Sequence, residues 1–312
     1  MNKKGYVAGI GAANIDIYGR SDVPIRQGTD HPAEIFTGAG GVTRNIMDNL
    51  SRLDIPVRFM TVFGDDIYGE MLRKSCIERK IDISAAKTVP GAATGIFMQV
   101  QNENNDMYIA LCDMRIMEHI NTDYLKERKD LLEGAKAIVV DPSLTEECLD
   151  YLVEQYGQKI FVDPVSDIYA GKIRPYAGRI CALKPNRTEL SVLSGIEVND
   201  EESMVEAGRR LLDAGLQQLY VSLGADGCFY MDRERILKRS LPAEAEMVNA
   251  SGAGDSFFAG MICGYVNGFP LEKTLDLALA AGLLAVRSPS AISDEMSLES
   301  LEKLIEEVRH EH

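Results

Sequence analysis

Short apolar runs alternate with amphipathic stretches along most of the chain, the pattern of an α/β fold. Apolar runs at residues 6–11, 57–63, 135–141, 159–163, 179–183 and 218–223 predict strands. The last is expected to turn back through Gly224-Ala225-Asp226-Gly227 onto residues 228–231 as a hairpin. A helix is predicted over 43–53, where Ile46, Met47, Leu50 and Leu53 recur on one face, and others over 146–155, 254–266 and 271–287. A polar-faced helix over 298–309 is expected to cap the edge. Residues 15–36 and 94–111 break the rhythm, with strand signals and no helix between them. The second stretch alternates around Asn102-Glu103-Asn104-Asn105, as a hairpin does. Together the two predict a small sheet, inserted from about 15–37 and 94–112 and placed like a lid on one α/β domain covering 1–312.

The charge balance narrows the partners. Against 33 Lys and Arg stand 48 Asp and Glu, a net charge of −15, which argues against a nucleic-acid polymer or an anionic membrane as the main partner. A small anion stays open, because backbone amides can hold one locally. No apolar run approaches the roughly 18 residues of a membrane span, and the N-terminus runs straight into a strand, unlike a signal peptide. The six cysteines are dispersed without a C-x-x-C pair, so they read as reduced core thiols. With four histidines, two of them at His310 and His312, a histidine triad or multi-histidine metal centre is not expected. These features predict a soluble cytoplasmic protein.

The strongest chemical signal is Asn249-Ala250-Ser251-Gly252-Ala253-Gly254-Asp255-Ser256, between a strand-like stretch and a helix. Glycines and small residues let the backbone turn sharply and leave amides uncovered, and at a helix start those amides bind anions. Asp255 is the ionisable group in this anion hole. It could take a proton from a hydroxyl while the amides of Gly252, Ala253 and Gly254 hold a phosphoryl group. The helix dipole is expected to keep it ionised at neutral pH. A bare Gly-x-Gly-Asp is equally a tight turn with a capping acid. No G-x-x-x-x-G-K-[ST] occurs, and Gly9-x-Gly11 is followed by Asn14 where a third glycine belongs. That excludes a P-loop and argues against a nicotinamide-dependent oxidoreductase. Asn14 and Asp16 share one side of an extended segment and suit sugar hydroxyls, or form a turn pair. Gly40 and Gly41 allow close backbone approach, with Asn45 in the first turn of the helix they lead into. Asn186 and Glu189, in Lys184-Pro185-Asn186-Arg187-Thr188-Glu189, share a helical face that could orient a hydrated Mg²⁺, or simply start a helix.

Taken together, Gly40-Gly41 with Asn45, Asn186-x-x-Glu189, Ser222-x-Gly224-x-x-Gly227 and Gly252-Ala253-Gly254-Asp255 resemble the ribokinase-like (PfkB) carbohydrate and nucleoside kinases. The motifs keep the family's order and span residues 9 to 287. The resemblance implies a doubly wound, mostly parallel central sheet with helices on both faces and a small β lid. It implies ATP-dependent phosphorylation of a primary hydroxyl with Asp255 as base. Lys184, Asn186, Ser222, Gly224 and Gly227 would serve ATP, and Asn186 and Glu189 would serve Mg²⁺. Asn14, Asp16, Gly40, Gly41 and Asn45 would hold the sugar.

Residues 10–16, 40–46, 112–114, 161–166 and 183–187 most resemble the pseudouridine-kinase branch, in which a nucleoside 5′-hydroxyl is the acceptor. Another sugar or nucleoside kinase of this fold, or a sensor that has lost turnover, are the rival readings; the intact Asp255 argues against the sensor. Thr94, Gln99 and Asp113 are candidates to read the base because they lie on the lid hairpin. Where many members carry Asp-Thr-Thr before Gly-Ala-Gly-Asp, this chain has Asn249-Ala250-Ser251, a change that bears on activation by K⁺. A homodimer through the lid is common in the family.

Overall fold

In the computed structural model, residues 5–104, 106–241 and 251–310 are described. The chain begins β1 (Val7–Ile10), β2 (Asn14–Ser21), β3 (Ala33–Gly40), α1 (Val42–Arg52), β4 (Val57–Met60), β5 (Val62–Gly64), α2 (Ile67–Glu78) and β6 (Lys87–Val89). There follow β7 (Gly95–Gln101), β8 (Met107–Asp113), α3 (Thr122–Lys126), α4 (Lys129–Gly134), β9 (Ala137–Val140), α5 (Glu146–Tyr156), β10 (Ile160–Val162) and α6 (Asp167–Ile173). The remainder is β11 (Ala182–Leu183), α7 (Arg187–Ser194), α8 (Glu201–Asp213), β12 (Gln218–Ser222), β13 (Cys228–Met231), β14 (Ile236–Arg239), α9 (Ala253–Asn267), α10 (Leu271–Val286) and α11 (Leu298–His310).

Eight strands form the main sheet in the order β14-β13-β12-β11-β10-β9-β1-β4, parallel from β12 to β4 and antiparallel at the β12-β13-β14 edge. The parallel strands are short and buried on both faces, as Ala137-Ile138-Val139-Val140 illustrates. Ile10, Ile138 and Val140 point to one side, where Leu149, Leu190 and Leu211 of α5, α7 and α8 cover them. Phe59, Val139 and Tyr230 point to the other, under Ile46, Phe258, Leu277 and Leu301 of α1, α9, α10 and α11. The sheet is therefore wound on both faces, and its ligand crevice is expected at the carboxyl ends of the parallel strands.

The expected strand over 57–63 is broken. Thr61 is fully buried, and its hydroxyl donates to the Gly11 carbonyl at 2.8 Å, taking the chain out of the main sheet after Met60. Residues 62–64 then pair with β6 in a separate two-stranded sheet.

A four-stranded sheet, β3-β2-β7-β8, is built from the two stretches that broke the helical rhythm. Its register separates two faces. Asn14, Asp16 and Tyr18 share one with Gly95, Phe97, Gln99 and Cys112. Ile17, Met98 and Leu111 share the other, whose outer part is exposed at Ile35, Met98, Ile109 and Leu111. All six cysteines are free thiols; five are buried as expected, whereas Cys112 is exposed. Among the described residues, no helix is long and apolar enough to cross a membrane.

Candidate functional site

The carboxyl ends of β1, β9, β10, β11 and β12 deliver Gly11, Asp141, Asp163, Lys184 and Ser222 to one edge of the sheet. At this edge α9 begins. Gly252 caps it at φ 77°, and a side chain there would run into the Ala291 carbonyl, so glycine is required. The first helical bond is from Ser256 N to Gly252 O, and the amides of Ala253, Gly254 and Asp255 precede it. Gly254 has an ordinary φ; a Cβ on it would lie 3.1 Å from Lys184 Nζ, so that ammonium borders the turn.

Asp255 is buried in this turn, and its Oδ2 accepts from Asn45 Nδ2 at 2.9 Å. The dipole does not keep it ionised with an ordinary carboxyl, as the sequence had suggested. Burial, reinforced by the nearby Asp163 charge, pushes its pKa up to about 7, against the opposing pull of Asn45 and Lys184. Asp163, which sequence reasoning gave no role, forms a buried ion pair with Lys184 at 2.6 Å. Burial works against the Lys184 charge, but the carboxylates of Asp163, Glu189 and Asp255 hold its pKa above the usual lysine value. Asp163 is aimed by a strained turn. Its Oδ1 accepts from Val165 N at 2.9 Å, and Val165 sits at φ 68°, a costly conformation for a β-branched residue. The signal in the sequence was an acidic residue just past a strand end, followed by Pro164.

Opposite the turn, the inner lid face presents Asn14 and Asp16. Asn14 Nδ2 donates to Asp16 Oδ1 at 2.7 Å, and the Tyr18 hydroxyl to Asp16 Oδ2 at 3.2 Å. Burial raises the Asp16 pKa even so. A Cβ on Gly40 would displace the Asp16 carboxylate, and Gly41, at φ 102°, is required because it lies against the Ala12 carbonyl. Asn45 is brought to Asp255 itself, 210 residues away in sequence, with its Oδ1 on Arg44 Nη1.

Asn186 and Glu189 meet in a capping box: Asn186 Oδ1 accepts from Glu189 N and Glu189 Oε2 from Asn186 N, both at 2.9 Å. Glu189 is buried, which with the Asp163 charge raises its pKa. Asn186 also bridges to Ser222, placing it beside the β12–β13 turn, where Gly224 is unobstructed at φ 61° and Gly227 adopts φ 91° against the Arg239 carbonyl. Among the described residues no group of three or more His, Cys, Asp or Glu forms a protein cage for a metal. Asn249 and Ala250, two of the three residues bearing on K⁺, lie outside the described residues.

Two of the three lid candidates are placed differently from expectation. Thr94 is buried and committed: its hydroxyl donates to Asp66 Oδ1 at 2.5 Å and accepts from Gly64 N at 3.2 Å, tying the lid root to α2. Asp113 pairs in register with Ile96, on the face opposite Asp16, and the exposed Arg115 beside it holds its carboxyl down at about 2. Cys112, one residue earlier, faces inward instead, close enough for the Asp16 charge to raise its thiol pKa after burial and Asp113 have done so. Gln99 is half-buried on the inner face beside Tyr18.

A model of the pfkB family of carbohydrate kinases matches residues 4–297. The chain belongs to that family. It is 31% identical to a pseudouridine kinase of Escherichia coli over 98% of both chains. It is 24% identical to a ribokinase of Arabidopsis thaliana, over 95% of this chain and 80% of that one. A crystal structure from Clostridium perfringens superposes with a TM-score of 0.86 at 28% identity, covering 98% of this chain and 97% of that one. Arabidopsis ribokinase, solved with ribose and ATP, superposes with a TM-score of 0.82 over 96% and 98% at 22% identity, a likeness of fold. The pfkB-family fold and its membership among sugar and nucleoside kinases thus agree with the motifs read from the sequence.

Proposed function

We propose that this family member transfers the γ-phosphoryl group of ATP to the 5′-hydroxyl of pseudouridine, giving pseudouridine 5′-phosphate and ADP. One observation carries the reaction: a buried carboxylate with a pKa near 7 lies in a glycine turn at the N-terminus of a 15-residue helix. A general base is most effective when its pKa lies near the working pH. Asp255 accepts the proton of the 5′-hydroxyl as that oxygen attacks, and the amides of Ala253, Gly254 and Asp255 face the charge developing on the transferring group. Asn14, Asp16, Gly40, Gly41 and Asn45 shape the ribose side, and Asn45 also hydrogen-bonds the Asp255 carboxylate. Lys184, Asn186, Ser222, Gly224 and Gly227 line the nucleotide side, with the Lys184 ammonium beside the turn. Catalysis of this kind is mostly positioning and electrostatics.

The donor set at Asn186 and Glu189 fits a Mg²⁺ held through water, because each side chain already gives an oxygen to the capping box. When bound, the ion neutralises charge on the phosphates.

The choice of pseudouridine is supported by the likeness to the E. coli pseudouridine kinase along the whole chain. Pseudouridine keeps an N1–H that uridine lacks. A site with an acceptor for that donor leaves it unpaired with uridine, and such sites discriminate by up to ~10⁴-fold or more. The test is ADP release with four acceptors at equal concentration. The expected order of kcat/KM is pseudouridine, then uridine, then free ribose and adenosine. A win by ribose, adenosine or a hexose would leave a family kinase with a different substrate.

A further inference from the structure

The Asn45 amide that touches Asp255 is nearly symmetric in shape, so either its oxygen or its NH₂ group could face the carboxyl. The two orientations have opposite consequences. An NH₂ group favours the carboxylate, whereas an amide oxygen favours the protonated acid, which alone can donate to it. The neighbouring side chain decides between them. Arg44 Nη1 lies 3.2 Å from Asn45 Oδ1, and a guanidinium has donors but no acceptor, so the amide must turn its oxygen toward Arg44. Its NH₂ is then left for Asp255 Oδ2 at 2.9 Å.

We propose that Arg44 is a positioning residue for the catalytic base, fixing the Asn45 amide in the orientation that keeps Asp255 able to accept a proton. This rests on the reading of Asp255 as the base.

Arg44 is itself rigidly held. It is buried, with Nη1 also on the Ala39 carbonyl at 3.3 Å and Nη2 on Asp48 Oδ2 and Ser75 Oγ, both at 2.9 Å. Asp48 in turn accepts from Arg52 Nε at 2.8 Å. The guanidinium thus joins α1, α2 and the end of β3 to the amide that meets α9. One donor, Arg44 Nε, is buried with no hydrogen-bond partner among the described residues. Packing alone would be better served by an apolar side chain, which leaves no orphan donor. A guanidinium kept at that cost points to work done by its other nitrogens. Besides Asn45, the charged and titratable groups facing Asp255 are Asp163 and Lys184 at the ends of β10 and β11, and Asp16 and Tyr18 on β2. All four remain when Arg44 is replaced; Asp16, whose pKa the Arg44 charge pulls down, responds to loss of that charge in Arg44→Met, whereas Arg44→Lys retains a charge there.

The test is the pH dependence of kcat/KM in Arg44→Met, Arg44→Lys and Asp255→Asn, using whichever nucleoside the wild type turns over. Arg44→Met frees the amide to rotate, so the acidic limb should move up by roughly one pH unit. Turnover should fall near neutrality and recover toward pH 9. Arg44→Lys keeps a charge for Asp48 but lacks the fork that reaches Asn45 as well, so an intermediate shift is expected. It also serves as the readout should the methionine variant fold poorly. A merely structural arginine would lower activity equally at every pH, and an unmoved limb in both variants overturns the proposal. Asp255→Asn separates the two failures. If it is inactive across the range while the arginine variants keep the wild-type limb, Arg44 is not the positioner and the base stands. If it retains turnover with the wild-type profile, Asp255 is not the base and the proposal falls with it.

Discussion

Replacing Asp255 by asparagine should do two opposite things at once: remove turnover and stabilise the protein. The carboxyl has a pKa of about 7 in the fold against an ordinary 3.8, a rise of about 3 units, and burial is the first cause. Each unit corresponds to about 1.36 kcal/mol, so the ionised form costs the fold about 4 kcal/mol relative to a neutral side chain. The sign follows from proton counting. Between pH 3.8 and 7 the unfolded chain has lost the proton and the folded chain still holds it, so stability falls as pH rises through this window and then levels off. Asparagine has no proton to lose and retains an oxygen for Asn45 Nδ2. Denaturant unfolding of both proteins at pH 5 and pH 8 should therefore show the variant gaining about 2 to 3 kcal/mol on the wild type between the two pH values. At pH 8, where the wild-type carboxyl is ionised, its kcat should be about 10²–10⁴-fold below wild type, as loss of a general base costs. A stability gap independent of pH would mean that Asp255 is ionised in place with an ordinary carboxyl. A variant keeping more than about a tenth of wild-type turnover would mean it is not the base.

Three further substitutions separate local roles. Gly252→Ala places a Cβ against the Ala291 carbonyl at a φ of 77°, so the melting temperature should drop. Gly254→Val instead crowds the flexible end of Lys184 at an ordinary φ, so nucleoside binding should persist while kcat falls; the reverse pattern would misplace the anion hole. Glu189→Gln keeps a capping box, since glutamine can fill that position, so the melting temperature should hold. The Mg²⁺ needed for half-maximal rate should rise, and an unchanged titration would leave Glu189 as a helix cap only.

The parts of the site that were legible in the sequence are those set by local geometry. The glycine turn before a helix, the two-residue spacing of Asn14 and Asp16 and the strand-then-helix setting of Asn186 and Glu189 all follow from short-range rules. What was not legible depends on pairing across the fold. Asp113 and Cys112 differ by one residue, and only the register of β8 against β7 decides that the cysteine faces Asp16 and the aspartate faces away. Thr94 looked available because its partner, Asp66, lies 28 residues earlier. The break after Met60 depends on a carbonyl contributed by Gly11, 50 residues before. The charge state of Asp255 was misjudged for the same reason. The dipole of its own helix is a local feature, whereas its burial and the Asp163 carboxylate are products of assembly.

That assembly leaves Asp255 balanced between opposing influences, and substrate should tip the balance. Burial and Asp163 push its pKa up; Asn45 and Lys184 pull it down. Phosphates placed at the adjacent turn add negative charge and draw on the Lys184 ammonium, and a closed lid removes remaining water. Each of these changes favours the protonated carboxyl. Asp255 therefore becomes a stronger proton acceptor once both substrates are present. The acidic limb of kcat reports the ternary complex and that of kcat/KM for ATP the nucleoside-bound enzyme before the phosphates arrive, so the first should lie at higher pH than the second. Steady-state profiles from pH 5.5 to 9 at saturating nucleoside with varied ATP would measure both. A kcat limb at or below the kcat/KM limb would show that the bound phosphates do not act on Asp255, and the nucleotide would then have to lie away from the residue 252–255 turn.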